Sequence, residues 1–513
     1  MWCNKLSYGC IGVVLLLCWI SQSCNGSESF GFKIHHRFSD PVKAMFNGDD
    51  QYFPEKGTPN YYAAMFHRDR VFHGRRLAGE TSHNSTLTFA SGNTTFRIDT
   101  LGFLYYANVS VGTPESWYLV ALDTGSHLFW LPCDCAPNCL TRLQLRPDTP
   151  AMNLNIYSPR SSSTGAQLSC TSPYCENSIN CAPTQIHCPY GVSYLSANTS
   201  SSGYLVEDVL HLTTNSNSSA LFNVRIPFGC GVVQTGSFLR TAAPNGLLGL
   251  SMDPISLPNI LASQGLTSNS YSMCFTGNGV GTILFGDRDS NEQGETPLNP
   301  NDRLNLYNIS ITHISMGTNV SATNFTTIFD SGTSITHLTD PSYSILSQKF
   351  NSQVKDQKVD LGPDIPFEFC YESNVSIDEL IIPSINLTLS GGDTFTIIDP
   401  VFVLLFQSGR TAYCLGVAKS DIDEHNINII GENFMSGYRI VFDHERMVLG
   451  WKAHDCGEVV PLSPRPSMFR PPGLITPSPS SSVASALGNG HRHSYLFICI
   501  LLVQLLSIQL MNP

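Results

Sequence analysis

A mainly β chain arranged as two related lobes is what this sequence predicts, and three observations predict it. From Phe103 onward, short Val-, Ile- and Tyr-rich stretches such as 104–111, 117–122 and 282–285 alternate with Gly, Pro, Asn and Asp turns, which is strand texture. Helical spacing is scarce. The best instance starts at Pro341, with Asp340 to cap it and Tyr343, Leu346, Phe350 and Val354 recurring on one face. The third observation is an internal near-repeat. Val120-Ala121-Leu122-Asp123-Thr124-Gly125-Ser126 in the first half matches Thr327-Ile328-Phe329-Asp330-Ser331-Gly332-Thr333-Ser334 in the second. Each copy follows an alternating stretch (106–111, 307–314) and is trailed by an apolar pair and a glycine, Leu247-Leu248-Gly249 and Ile429-Ile430-Gly431. One Asp-Thr-Gly is an ordinary turn; two copies with the same companions mark duplicated lobes.

Length and composition agree. At 513 residues the chain is too long for one small core, and 42% hydrophobic residues exclude disorder as its dominant state. Charged residues are only 13%, against a usual share of about 25%. The net charge of −12 disfavours a nucleic-acid backbone binder, so no nucleic-acid partner is expected. A mean hydropathy of −0.01 excludes a polytopic membrane protein.

Both ends read as targeting segments. In residues 1–24, Lys5 precedes a short apolar run (11–20) and small polar residues, the layout of a secretory signal peptide. At the far end, 495–511 is apolar apart from Gln504, Ser507 and Gln509, with no Lys or Arg beyond it. Small residues Ala484, Ser485 and Ala486 and a polar spacer precede it. That is the layout of a GPI-anchor signal over 486–513, with attachment among Ser482, Ala484 and Ser485; a plain C-terminal membrane helix is the rival. The Pro/Ser-rich stretch 459–485 suits an extended spacer.

Export fits the cysteines. Of 17, Cys3, Cys10, Cys18, Cys24 and Cys499 fall in or beside the terminal signals. Cys133, Cys135, Cys139, Cys170, Cys175, Cys181, Cys188, Cys230, Cys274, Cys370, Cys414 and Cys456 remain, an even set able to form up to six disulfides. Cys133, Cys135 and Cys139 lack paired zinc-ribbon spacing, so no metal site is expected. Asn84, Asn93, Asn108, Asn198, Asn217, Asn308, Asn319, Asn324, Asn374 and Asn386 each head an Asn-x-Ser/Thr triplet and are candidate glycosylation sites.

Chemistry follows from the repeat. Two equivalent strand-end loops meeting at a pseudo-twofold axis bring Asp123 and Asp330 face to face. Two close carboxylates share one proton, so one can deprotonate a water while the other protonates a carbonyl oxygen: amide hydrolysis with no cofactor. Gly125 and Gly332 clear the approach. Thr124 and Ser331 can hydrogen-bond across to the opposite loop, and Ser126 and Thr333 can donate to the outer carboxylate oxygens.

These residues resemble the pepsin-like aspartic endopeptidases, and within them the plant nepenthesin-like branch and its membrane-anchored type. The resemblance spans about 105–456 and rests on Asp123-Thr-Gly-Ser-His-Leu-Phe-Trp130, Asp330-Ser-Gly-Thr-Ser334 and the Asn428…Trp451 stretch. It implies a bilobal fold with a cleft covered by a hairpin flap, Tyr194 as the flap tyrosine, Trp130 as its support, and a bonded Cys370–Cys414 pair. The cysteine-rich stretch 133–188 is similar to that branch's extra loop. The flap departs from the family pattern at Leu195 and Ser196, and His127 replaces a more usual Asp, Ser or Asn. A small-residue flap tip is expected over 197–203. The arm 25–102 resembles a propeptide, whose basic run 67–76 can cover an acidic cleft; otherwise it reads as a solvated segment without sustained apolar periodicity. The expectation is therefore a secreted, monomeric zymogen with catalytic lobes at 103–298 and 299–458, acting on peptides or proteins at acidic pH and tethered outside the plasma membrane or in the cell-wall space. The rival readings are a silent scaffold serving as an inhibitor or surface-binding protein, and a purely structural glycoprotein.

Overall fold

The computed structural model describes residues 105–143, 151–175, 187–194, 199–214, 221–240, 243–275, 280–288, 292–299, 305–362, 367–373, 380–406, 410–420 and 427–453, with 30–37 and shorter pieces elsewhere between 39 and 365. The terminal signals, the basic run 67–76, Cys456 and the sequons at Asn84, Asn93, Asn198, Asn217 and Asn374 lie outside them. The chain separates into Met1–Pro464 and Arg465–Pro513, and every described residue belongs to the first unit.

The alternating stretches become strands. Tyr105–Val111 pairs antiparallel with Ser116–Asp123, and Asn308–Met316 pairs antiparallel with Asn319–Phe329. A 14-stranded sheet runs through both lobes. Its junction is Ser270–Phe275 from the first lobe against Tyr438–Asp443 from the second, so the lobes share backbone hydrogen bonds as well as side-chain contacts. A 7-stranded sheet carries the second lobe's repeat, beside a 4-stranded sheet ending on Val401–Leu405. One apolar core extends from Phe30 to Trp451 across both lobes. A smaller one gathers Trp130, Tyr190 and Phe238 beneath the hairpin Pro189–Ser193/Ser200–Thr214. Each large side chain so buried contributes about 1.5–3 kcal/mol.

Three expectations are corrected here. The helix is Ser342–Asn351, one residue later than expected, with Pro341 at its N-cap and Val354 beyond its end. Asp340 still serves the first turn, accepting from the Ser344 hydroxyl at 2.5 Å and, at 3.3 Å, from its backbone N–H. The flap turn is shorter than 197–203, because Ser200 to Gly203 already lie in a strand. Gly203 is a glycine for packing: a Cβ there would sit 2.0 Å from the Cys230 carbonyl oxygen, at a bulge in the pairing with Leu221–Gln234. The arm is also not featureless. Phe30–His36 is a strand in the shared sheet, with Phe30, Phe32 and Ile34 buried and Lys33 exposed. Three apolar side chains, with Gly31 among them, are too few to stand out as periodicity, and only the neighbouring strands give them a face to cover.

All three residues of the Cys133/Cys135/Cys139 cluster are in disulfides: Cys133–Cys230 ties the end of the strand Trp130–Pro132 to its parallel neighbour Leu221–Gln234, and Cys135–Cys139 closes a tight loop. Cys170–Cys181, Cys175–Cys188 and Cys370–Cys414 are bonded as well. Among the described sequons, Asn108, Asn319 and Asn324 are exposed, and Asn308 and Asn386 are half-buried. Among the described residues no helix is long and apolar enough to cross a membrane.

Candidate active site

Each Asp loop leaves the end of a strand that is clamped by its own trailing motif. Ser116–Asp123 runs parallel to Leu247–Gly249, with Asp123 opposite Gly249. Asn319–Phe329 runs parallel to Asn428–Ile430, and the Asp330 N–H donates to the Ile430 carbonyl at 3.1 Å. The trailing glycines are needed because the Asp loop folds directly over them. A Cβ on Gly249 would lie 2.5 Å from the backbone of His127 and Leu128; one on Gly431 would lie 2.7 Å from that of Ile335. The repeat noticed in the sequence is thus two copies of one interlocked loop.

The loops bring the carboxylates together. A Cβ added at Gly332 would meet Asp330 Oδ1 at 2.9 Å and Asp123 Oδ1 at 3.1 Å, and one at Gly125 would meet Asp123 Oδ1 at 3.1 Å and Asp330 Oδ1 at 3.6 Å. Both inner oxygens therefore share one small space that only glycine leaves open. The Gly125 N–H donates to Asp123 Oδ1 at 2.9 Å, and the Gly332 N–H to Asp330 Oδ1 at 2.8 Å. Asp123 and Asp330 are 7% and 8% exposed, enough to meet a substrate yet largely out of bulk water. Burial and shared space are the conditions under which paired carboxylates titrate as one unit.

The supporting hydroxyls depart from twofold symmetry. Thr124 Oγ1 donates to the Phe329 carbonyl at 3.4 Å and accepts from the Ser331 N–H at 3.0 Å, linking the loops. Ser331 does not reciprocate: its Oγ is buried and makes no hydrogen bond among the described residues. Thr333 Oγ1 donates to Asp330 Oδ2 at 2.6 Å, while Ser126 Oγ gives Asp123 no such bond. The expected reciprocal pairing is therefore half present. One shape must serve two slightly different loops, the second being a residue longer before Gly431 covers it.

Over the first loop stands Tyr194. Its hydroxyl accepts from Trp130 Nε1 at 2.8 Å, and its ring meets Phe238 edge-on at 5.0 Å, as Trp130 does at 4.9 Å. Burial, reinforced by the Asp123 charge, raises the Tyr194 phenol well above its ordinary pKa, so it stays protonated. His127 is half-buried beside the loop.

Sequence reasoning missed a crossed pair of tyrosines. Gly249 is followed by Leu250, whose carbonyl accepts from Tyr307 of the second lobe at 2.5 Å and from Tyr271 at 3.0 Å. Gly431 is followed by Glu432, whose carboxylate accepts from Tyr105 of the first lobe at 3.2 Å. Tyr307 also meets His444 Nε2 at 2.8 Å, and burial lowers the His444 pKa to about 4. Tyr105 opens its strand and Tyr307 directly precedes the matching one, a signal that was present in the repeat itself. Phe238 was missed too, since an isolated aromatic in a Gly/Ser-rich stretch carries no sequence pattern.

Comparison with known proteins agrees with this geometry. Residues 105–287 match the family model described as xylanase inhibitor N-terminal, and 303–453 the model described as xylanase inhibitor C-terminal. The chain is 45% identical to aspartyl protease family protein 1 of Arabidopsis thaliana over 95% of each chain. It is 34% identical to aspartic proteinase-like protein 1 of the same plant, over 91% of this chain and 88% of that one. Among solved structures it is similar to basic 7S globulin from soybean, with TM-score 0.54 and 22% identity over 70% of this chain and 96% of that one, a likeness of fold.

Proposed function

The chain belongs to the plant pepsin-like aspartic endopeptidases, and from that premise we propose that it hydrolyses peptide bonds with the Asp123/Asp330 pair at acidic pH. The observation that carries the proposal is the single space shared by both carboxylates over Gly125 and Gly332. With one proton between them, one carboxylate takes a proton from a water held in that space. The water oxygen bonds to the substrate carbonyl carbon as the protonated partner donates to the carbonyl oxygen. One carboxyl then gives its proton to the amide nitrogen while the other carboxylate takes one from a hydroxyl of the tetrahedral diol; the C–N bond breaks as the carbonyl re-forms, and the pair again holds a single proton. Thr333 donates to Asp330 and favours its charged form, which makes Asp330 the natural first base. Tyr194, held by Trp130 and Phe238, lies over the first loop as the lip that shuts water away from an extended peptide.

The setting proposed with this activity is export under the signal at 1–24, removal of part of the 25–102 arm, glycosylation at exposed sequons such as Asn108, and a lipid anchor added near Ser482–Ser485. The proposed site of action is the outer face of the plasma membrane or the wall space. The lobes supply one complete site per chain, which supports a monomer. A second reading, a binding scaffold of the same fold, is favoured by the xylanase-inhibitor description of both family models and by the Leu195-Ser196 departure. Purified exported protein, assayed on peptides from pH 3 to 7 with and without pepstatin beside Asp123→Ala, separates them. Pepstatin-sensitive acid cleavage lost in the variant supports the peptidase; no cleavage at any pH by correctly processed protein supports the scaffold.

A further inference from the structure

The N-terminal arm contributes a strand to the interior of the joined sheet. Phe30–His36 pairs with Val280–Phe285 from Phe30↔Phe285 to His35↔Val280, and on its other side with Tyr105–Val111 from Ile34↔Ala107 to His36↔Tyr105. Its side chains are built into the core: Phe30 stacks on Phe222 at 5.0 Å and Phe32 meets Phe285 edge-on at 6.2 Å. Arg37 follows at 1% exposure. Further along, the Gly57 carbonyl accepts from the Leu405 N–H at 2.9 Å, Tyr62 packs on Phe402 at 4.5 Å, and Met65 is buried. Tyr61 is half-buried, edge-on to Tyr62 at 5.2 Å. The arm therefore pairs with strands of the first lobe and packs on Phe402 and Leu405 of the second.

We infer that the strand Phe30–His36, with the contacts at Gly57 and Tyr62, stays bound as a non-covalent second chain after the polypeptide is cut ahead of Phe103, instead of leaving as a discarded leader. The inference takes its biological setting from the proposed maturation. Its physical ground is independent of it. Withdrawing the strand would leave Val280–Phe285 and part of Tyr105–Val111 with unpaired backbone groups inside the sheet and expose the faces now covered by Phe30, Phe32, Ile34 and Tyr62.

The test cuts the folded, full-length protein at a site-specific endoprotease sequence inserted between Arg76 and Leu77. Native size-exclusion at pH 7 and pH 4, with mass measurement of the peak, reads whether the arm fragment travels with the lobes. The expected result is one-to-one co-elution at both pH values, with separation only in denaturant. Tyr62→Ala should release the fragment about tenfold or more faster, while Lys33→Ala, at the exposed strand position, should not. Loss of the wild-type fragment under native conditions, whether or not the lobes stay folded, overturns the inference. A retained arm on lobes that cleave no peptide leaves the inference standing and counts against the peptidase reading, so the two fail separately.

Discussion

In the first lobe, the loop at Asp123 sends the Thr124 hydroxyl across to the other lobe and keeps Ser126 off its own carboxylate; in the second, the loop at Asp330 keeps Thr333 on its own carboxylate, while the Ser331 hydroxyl has no partner among the described residues. Their braces differ in the same crossed way. Tyr307 holds the neutral Leu250 carbonyl behind the first loop, whereas Tyr105 holds the Glu432 carboxylate behind the second. Near-identical sequence thus produces one loop that does the linking and one that tunes a charge. The lesson is that a duplicated motif guarantees the backbone path and the glycine clearances, while the hydroxyls settle by whichever partner lies nearest.

Removing a carboxylate tests the shared part of the comparison. Asp123→Ala and Asp330→Ala should each reduce kcat/KM by about 10⁴-fold or more, because the pair acts as a unit. A loss confined to one variant, in steady-state peptide cleavage, would break the symmetry claim.

His444 tests the brace behind the first loop. Burial lowers its folded pKa to about 4, with Asp443 opposing, against about 6.5 when unfolded. The unfolded chain therefore binds the extra proton first. The brace is at full strength above about pH 6.5 and weakens as pH falls toward 4, by about 3 kcal/mol in all. Denaturant unfolding at pH 7 and pH 4 should show a smaller drop in His444→Gln than in the wild type; equal drops would refute this.

Thr124→Val should destabilise by about 1–3 kcal/mol, since it strands the Ser331 N–H and loses the link to Phe329, whereas Ser331→Ala should be near neutral. Equal effects in thermal unfolding would show that the two hydroxyls are interchangeable. The finest distinction is electrostatic. Thr333→Ala removes a donor to the charged form of Asp330, so the acid limb of the pH–rate profile should move upward by about one pH unit. Ser126→Ala should leave that limb in place, and matching shifts would dissolve the difference between the loops.

The sequence by itself determined the mainly β class, the duplicated lobes, both Asp loops with their glycines, and the trailing companions Leu247–Gly249 and Ile429–Gly431. Those features rest on local chain geometry and on spacings that survive as a repeat. Only the tertiary structure decided which hydroxyl crosses, where Phe238 sits, that Tyr105 and Tyr307 brace the opposite lobe, and that Phe30–His36 belongs inside the sheet. The physical reason is that these contacts join residues far apart in the chain. Their free energy comes from burial and from partners another segment supplies, and neither is visible in the neighbours along the sequence.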